Sequence, residues 1–288
     1  MFRGLRASTR QRQPHRRRLA ALAAGGALLL TGAACTTPAA PSTPYPRAMA
    51  SAGDSITRGF DACGPFVDCP VESWSTGLGS DVSSQLTRLA PHSPALAAHA
   101  YNDAQTGATT VDLGPQVADA VRQGADYLTV LVGANDVCTP TAASMTSAAV
   151  VEQRVVAALR SFTAARPAGH VLLASIPDVY RLWEVAHGNA NARFVWGAAG
   201  ICQSMLGAPA STSAADVARR AAVRTRIVDD NAALARACAA VARCRSDGGA
   251  VFRTAFSLSQ LSQWDYFHPN GAGQRLLADA TWRAGYWA

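Results

Sequence analysis

The chain of 288 residues carries 26 arginines, no lysine and 19 acidic residues, a formal charge of +7. Seven of those arginines fall within residues 1–18, which hold no acid, so the rest of the chain is balanced at 19 against 19. A nucleic-acid binder needs a clustered basic surface from which counterions are released, and a balanced chain of this kind argues against one.

Residues 19–30 form an apolar run of 12, followed by Gly32-Ala33-Ala34-Cys35 and a stretch rich in proline and threonine up to residue 46. A basic start, a short apolar run and a small-residue exit define an export signal. The run falls short of the roughly 20 residues that cross a bilayer. Small residues leading directly into a cysteine resemble a bacterial lipoprotein signal, with Cys35 as the lipidated first residue and a membrane tether. Gly32 stands where such signals usually carry leucine, which leaves ordinary signal cleavage open. Arg16-Arg17 with Leu19 also loosely resembles a twin-arginine export signal. The expected organisation is therefore a signal over 1–34, a linker over 35–46 and one folded domain over 47–288, long enough for a single substantial core.

Beyond the linker, short apolar runs alternate with helical spacing. Strands are expected at 48–52, 95–101, 127–132, 171–176 and 250–252, several of them apolar throughout, as in a parallel sheet covered on both faces. Helices are expected at 78–89, 111–122, 148–165, 214–242 and 271–283. This alternation argues for an α/β layered sheet with right-handed crossovers. Residues 178–209 fit least well and read as an inserted, ordered loop region. Its Trp183, Phe194 and Trp196 read as a core patch beneath the insertion, with an acyl-binding wall as the alternative. Arg219, Arg220, Arg224 and Arg226 fall within the 214–242 helix and read as a solvated face rather than an anion site.

Setting Cys35 aside leaves six cysteines, an even number in an exported chain, so three disulfides are expected. The economical pairing is Cys63–Cys69, Cys138–Cys202 and Cys238–Cys244, one of 15 arrangements that six cysteines allow. Zinc is the rival reading, but five residues separate each close pair, where zinc spacing is typically two to four. No metal site is expected.

Four short stretches carry chemistry: Gly53-Asp54-Ser55-Ile56, residues 102–107, Gly133-Ala134-Asn135-Asp136 and Asp265-Tyr266-Phe267-His268. In open parallel sheets, ligands bind beyond the carboxyl ends of the strands, and the first three stretches each follow an expected strand. A serine hydroxyl needs a base to accept its proton as it attacks. His268 is the best available base, because imidazole titrates near neutrality, and Asp265 can hold its tautomer and stabilise the imidazolium. The oxyanion of a tetrahedral intermediate needs preorganised donors. The backbone N–H groups of Ser55 and Gly107 and the Asn135 amide could supply three. Taken singly, each stretch reads as a turn, a cap or a surface pair; the combination carries the weight. Asp54 and Asp136 read as braces of the loop backbone, and Trp264 either walls the pocket or packs. His92, His99, His170 and His187 read as surface or structural histidines.

These four stretches resemble the sequence blocks of the SGNH, or GDSL, esterase and lipase superfamily, over roughly 47–285. The resemblance implies a flavodoxin-like three-layer α/β/α sandwich with a mostly parallel five-stranded sheet. It implies Ser55 as nucleophile and first oxyanion donor, Gly107 and Asn135 as further donors, and Asp265 and His268 as the closing pair. Ser73-Trp74-Ser75 and residues 133–138 and 229–234 further resemble the phospholipase B-like branch. Block one reads Gly-Asp-Ser-Ile where the family carries Gly-Asp-Ser-Leu. The implied activity is hydrolysis of lipid or short-to-medium acyl esters through an acyl-enzyme, with no metal or organic cofactor and an ester substrate as the partner. Two alternatives stand beside it: acyl transfer to, or deacetylation of, cell-envelope glycans on the same site, and a lipoprotein that binds a ligand without catalysis.

Overall fold

The computed structural model describes residues 43–288, so the expected signal, Cys35 and most of the linker lie outside the described residues. Residues 43–46, given to the linker by composition, lie against the C-terminus: Trp287 donates to the Thr43 carbonyl at 3.0 Å and stacks near Tyr45.

Five strands form one sheet: β1 (Met49–Gly53), β2 (Ala100–Asn102), β3 (Tyr127–Leu131), β4 (His170–Leu173) and β5 (Cys244–Ser246). Their order is β2-β1-β3-β4-β5, and every pair is parallel. This is the flavodoxin-like order, in which the chain switches sides between β1 and β3 and opens a crevice at their carboxyl ends. Met49 is in register with both Ala100 and Tyr127, so β1 is an interior strand, and all five of its residues are buried.

Ten helices among the described residues complete the fold: α1 (Ser55–Arg58), α2 (Gln85–Leu89), α3 (Leu113–Arg122), α4 (Ala134–Val137), α5 (Ala148–Ala165), α6 (Val179–Ala186), α7 (Ala190–Ala198), α8 (Gln203–Leu206), α9 (Ala214–Ala239) and α10 (Gly271–Ala284). Strand side chains alternate between faces, and the core divides accordingly. Met49, Tyr127 and Leu172 pack with Leu86, Leu89 and Leu96, joined by Trp282 of α10. Ala50, Leu128 and Val171 enter the larger cluster with Val117 of α3, Leu159 of α5 and Ile227 of α9. Helices therefore cover both faces, giving three layers.

The sheet departs from the sequence reading at its edges. Residues 250–252 form a turn, and the fifth strand is the polar segment Cys244–Ser246. Val251 is buried there; its apolar character reports core packing, not strand pairing. Of residues 95–101, most coil into a 3-10 turn behind Pro94, and only Ala100–Asn102 is extended. The helix expected over 78–89 begins at Gln85, after Ser83 takes φ 52° and Ser84 caps the Thr87 N–H.

The segment 178–209 is not a loop region but three helices, α6 to α8. Nor is the arginine row of α9 a solvated face throughout, although Arg224 stays exposed. Arg220, only 2% exposed, lies 4.4 Å from the Trp183 ring and donates to the Ser211 carbonyl at 2.6 Å. Arg219 donates to the Ser204 and Gly207 carbonyls, Arg224 pairs with Asp178 at 2.7 Å, and Arg226 donates to the Thr146 carbonyl. The segment folds back on α9, so Arg219 meets carbonyls at the end of α8 and Arg224 meets the acid that caps α6, while Arg220 and Arg226 meet loop carbonyls. Trp196 is fully buried, as a core patch requires, whereas Phe194 is 74% exposed.

All three disulfides form as paired above: Cys63–Cys69, Cys138–Cys202 and Cys238–Cys244. Cys138–Cys202 closes 64 residues and the others six each. In the chain-entropy account, the long bridge stabilises by about 4 kcal/mol and each short one by about 2 kcal/mol. Denaturant titration of Cys138→Ser/Cys202→Ser should therefore show roughly twice the loss seen for Cys238→Ser/Cys244→Ser.

Candidate active site

β1 ends at Gly53, whose φ of 145° and position allow no side chain: a Cβ would stand 2.0 Å from the Leu131 carbonyl oxygen. Gln116 of α3 fixes this strand end, accepting from the Gly53 N–H at 2.7 Å and donating to its carbonyl at 3.0 Å. Asp54 then caps α1 by accepting from the Ile56 N–H at 3.0 Å. Ser55 is thus the first residue of a helix that starts where the strand stops. Its N–H has no acceptor among the described residues, as expected for a first-turn donor. The side chain is 6% exposed, held at the rim rather than in open solvent.

Some 213 positions later in the chain, His268 meets it: Ser55 Oγ lies 2.7 Å from His268 Nε2. The His268 Nδ1–H donates to Asp265 Oδ2 at 2.5 Å, which leaves Nε2 to accept from the serine. Asp265 Oδ1 accepts from the backbone N–H groups of Phe267 and His268 at 2.8 and 3.0 Å. One carboxylate therefore shapes the loop and orients the ring together. Tyr266 takes φ 53° to let it do so, a conformation costly for a bulky residue. Burial works to raise the Asp265 carboxyl, but the hydrogen bond and charge of His268 outweigh it and hold the carboxyl below its usual range. Trp196 of α7 braces the loop from the insertion, donating to the Tyr266 carbonyl at 3.3 Å. Phe60 meets the imidazole edge at 5.0 Å. Trp264 stands 40% exposed and does not line the apolar cleft next to Ser55 whose walls include Ile56, Ala134, Leu182, Leu261, Phe267 and Pro269.

Gly107 has φ 84°, with open space where a Cβ would point, so conformation rather than crowding selects glycine there. Asn135 in α4 donates from Nδ2 to the Ala108 carbonyl at 2.9 Å. That bond ties Asn135 to the residue that follows Gly107 and leaves its second amide hydrogen free of any acceptor among the described residues. Asp136 accepts from the Thr110 N–H and Oγ1, both at 2.9 Å, and Arg154 lies 3.7 Å away. Asp54 and Asp136 are braces, as their neighbourhoods in sequence indicate. The other four histidines among the described residues, His92, His99, His170 and His187, are structural or superficial; His187, for instance, stacks on Trp183 at 4.4 Å.

One residue escapes sequence reasoning. Asp61 is 1% exposed, has φ 59°, and accepts from the Phe66 N–H inside the loop closed by Cys63–Cys69. Its Oδ2 finds no partner among the described residues. Burial first, then the charge of Asp265, pushes its carboxyl up to about 6. Asp61, Asp265 and His268 bring ligand atoms within 4.8 Å of one another, a donor set that could hold a cation. Both nitrogens of His268 are already engaged, so a cation there would have to displace Ser55 or Asp265.

A family model described as the GDSL-like Lipase/Acylhydrolase family matches residues 51–276. Among solved structures, a GDSL-like lipase from Parabacteroides merdae ATCC 43184 aligns with TM-score 0.51 at 16% identity, covering 82% of this chain and 94% of that one. A phospholipase A1 from Streptomyces albidoflavus NA297 aligns with TM-score 0.50 at 15% identity, covering 83% and 99%. At these identities the two likenesses speak for the fold. No curated protein matches the chain.

Proposed function

The chain belongs to the GDSL-like lipase/acylhydrolase family, and we propose that within it this esterase- or lipase-type hydrolase works as an exported serine esterase through an acyl-enzyme on Ser55. The observation that carries this reading is the chain of contacts from Ser55 Oγ to His268 Nε2 at 2.7 Å and from His268 Nδ1 to Asp265 at 2.5 Å. As Ser55 Oγ bonds to the acyl carbon, His268 Nε2 takes its proton and Asp265 stabilises the imidazolium. The oxyanion meets the N–H groups of Ser55 and Gly107 and the Asn135 amide. Collapse breaks the ester C–O bond, and His268 returns the proton to the leaving alcohol. Water, deprotonated by the same imidazole, then releases the acid and restores the serine.

Three disulfides fit an oxidising compartment, and no described helix is long and apolar enough to cross a membrane. Export, through a signal over 1–34 with or without lipidation at Cys35, belongs to this proposal. So does the phospholipase B-like branch, for which residues 73–75 and 229–234 speak. Both are built into the core: the Trp74 indole donates to Thr57 Oγ1 at 3.2 Å, and Asn231 accepts from the Ile176 N–H at 2.7 Å. The direct test is labelling of the folded protein with a fluorophosphonate and mapping of the modified peptide. An adduct on Ser55 is expected; folded protein that takes none would refute the reading.

Asp61 acts in this scheme as a positioning residue. Above about pH 6 it ionises beside Asp265 and His268, and its added negative charge favours the imidazolium. The acid limb of kcat/KM should accordingly shift downward by about one unit in Asp61→Asn, with the alkaline limb unmoved. A profile superimposable on the wild type would show that Asp61 serves the loop alone.

A further inference from the structure

Gly107 stands on the least supported stretch of the site. Just before it, the Gln105 N–H donates to the Gly53 carbonyl at 3.1 Å; just after it, the Ala108 N–H turns back to the Gln105 carbonyl at 3.0 Å. Between these anchors Thr106 and Gly107 are exposed, and neither has a backbone hydrogen bond among the described residues. The one hydrogen bond on this tip comes from a side chain: Thr106 Oγ1 donates to Asp68 Oδ1 at 2.5 Å. The same carboxylate accepts at Oδ2 from Arg58 Nε at 3.1 Å. Arg58 closes α1 three residues after Ser55, and its Nη1 donates to the Asn102 carbonyl at 3.0 Å, at the root of the Gly107 loop. We propose that Asp68 is a positioning residue for the oxyanion hole, holding the Gly107 N–H in place relative to the Ser55 N–H by joining Thr106 to Arg58. This inference rests on the serine-esterase reading above.

Asp68 is itself held on both sides. The Val67 carbonyl accepts from the Asp61 N–H at 2.9 Å. On the other side, Cys69 is buried and bonded to Cys63. The Cys69 carbonyl oxygen lies 2.4 Å from where a Cβ on Gly59 would stand, so it packs directly on the residue that ends α1. A carboxylate on so fixed a backbone can act as a peg for a loop tip that has no other. The energetics direct its effect toward turnover. The Arg58 and Asp68 side chains are 31% and 37% exposed, and surface ion pairs of this kind add little to folding stability. Placement is more demanding, because a misplacement of about 1 Å in an active site can cost about 100-fold in rate. Hydrogen bonds to an ionised group are also the shorter and stronger kind, which suits a tether. Thr106 has two roles to separate, hydroxyl and bulk, and valine removes the first while keeping the second. It also leaves the Asp68 charge where it is, so a loss in Thr106→Val cannot come from altered charge.

The test is kcat and KM for p-nitrophenyl acetate on the wild type, Asp68→Ala, Thr106→Val and Thr106→Ser, beside the rate at which a fluorophosphonate labels Ser55. In Asp68→Ala and Thr106→Val, kcat should fall by at least about fivefold, short of the roughly 10²–10³ that loss of a whole donor costs. KM should stay within about twofold, since the donor acts on the transition state. Thermal midpoints should move by no more than about 2–4 °C. Thr106→Ser restores the hydroxyl and should return kcat to within about twofold of the wild type. Because both substitutions cut one tether, Asp68→Ala/Thr106→Val should be no slower than Asp68→Ala alone. Labelling rates should follow kcat, because the phosphonyl oxygen draws on the same donors. A folded Asp68→Ala or Thr106→Val enzyme that keeps wild-type kcat overturns the proposal. So does a double variant whose losses multiply, or a Thr106→Ser enzyme as slow as Thr106→Val. If Asp68→Ala fails to fold, the Thr106 pair decides. Wild-type protein that labels at Ser55, with variants labelling equally fast, refutes this inference alone. Wild-type protein that neither labels nor hydrolyses any ester refutes the serine-esterase reading beneath it.

Discussion

Ser55→Ala should fold as the parent does and lose at least about 10⁴-fold in kcat for ester hydrolysis. The substitution removes one hydroxyl whose hydrogen-bond partner is His268, so neither the β1–α1 turn nor the core is disturbed. The turn is held by Gly53 packing under Leu131, by Gln116 and by the Asp54 cap. Thermal midpoint and far-ultraviolet circular dichroism should therefore match the wild type while turnover vanishes. His268→Ala should fall to a similar floor. Because nucleophile and base act as a unit, the double variant should be no worse than either single one. A folded Ser55→Ala enzyme at full turnover would place the nucleophile elsewhere. A double variant that multiplied the two losses would mean that serine and imidazole act in separate steps.

What could be read from the chain, and what could not, follows from how each segment is buried. β1, β3 and β4 are covered on both faces, so their runs are mostly apolar, broken only by Ser51, Thr129 and His170, and their positions are plain. α5 spans the same residues by periodicity and by structure, 148–165, because one face packs and the other does not. The two edge strands are short and lack that signature. β5 is Cys-Arg-Ser, paired with β4 alone, and nothing in its composition distinguishes it from a turn. The α9 arginines mislead for a related reason: helical spacing says which face a residue occupies, but not whether another segment will return to cover it. Here α6 to α8 do return, and Arg220 ends beneath Trp183.

The candidate site divides the same way. Ser55, Gly107, Asn135, Asp265 and His268 were legible because each lies in a short patterned block, and four of them follow from a strand end or a tight turn. Asp61 was not, since it belongs to no block and looks like one acid in a cysteine-bounded loop. Only the fold of that loop, turned at φ 59° and closed by Cys63–Cys69, brings it against Asp265. The wall residues of the cleft were equally hidden. Leu182 and Leu261 are ordinary leucines in sequence and acquire meaning from their place beside Ser55, which no local pattern encodes.

Asn135→Ala should lower kcat by roughly 10²–10³ with little change in KM, the loss seen when one oxyanion donor is deleted. The side chain sits where this can be tested cleanly. One amide hydrogen is committed to the Ala108 carbonyl at 2.9 Å, which fixes the amide plane, and the other is available to the developing charge. Asn135→Asp separates the two functions of the amide. It preserves the shape but replaces donors with an acceptor, setting a negative charge against both the Ala108 carbonyl and the oxyanion. The Asn135→Asp enzyme should thus show a lower kcat than Asn135→Ala, which simple loss of packing could not explain. Gly107→Ala provides the contrast, because it keeps its N–H and its Cβ would point into open space. Its cost should come from the backbone at φ 84°, about 1–2 kcal/mol of stability, with activity falling only as far as the N–H is pulled from place. Asparagine variants that cost stability but spare kcat, with the glycine variant doing the reverse, would invert the proposed division of labour between the two donors.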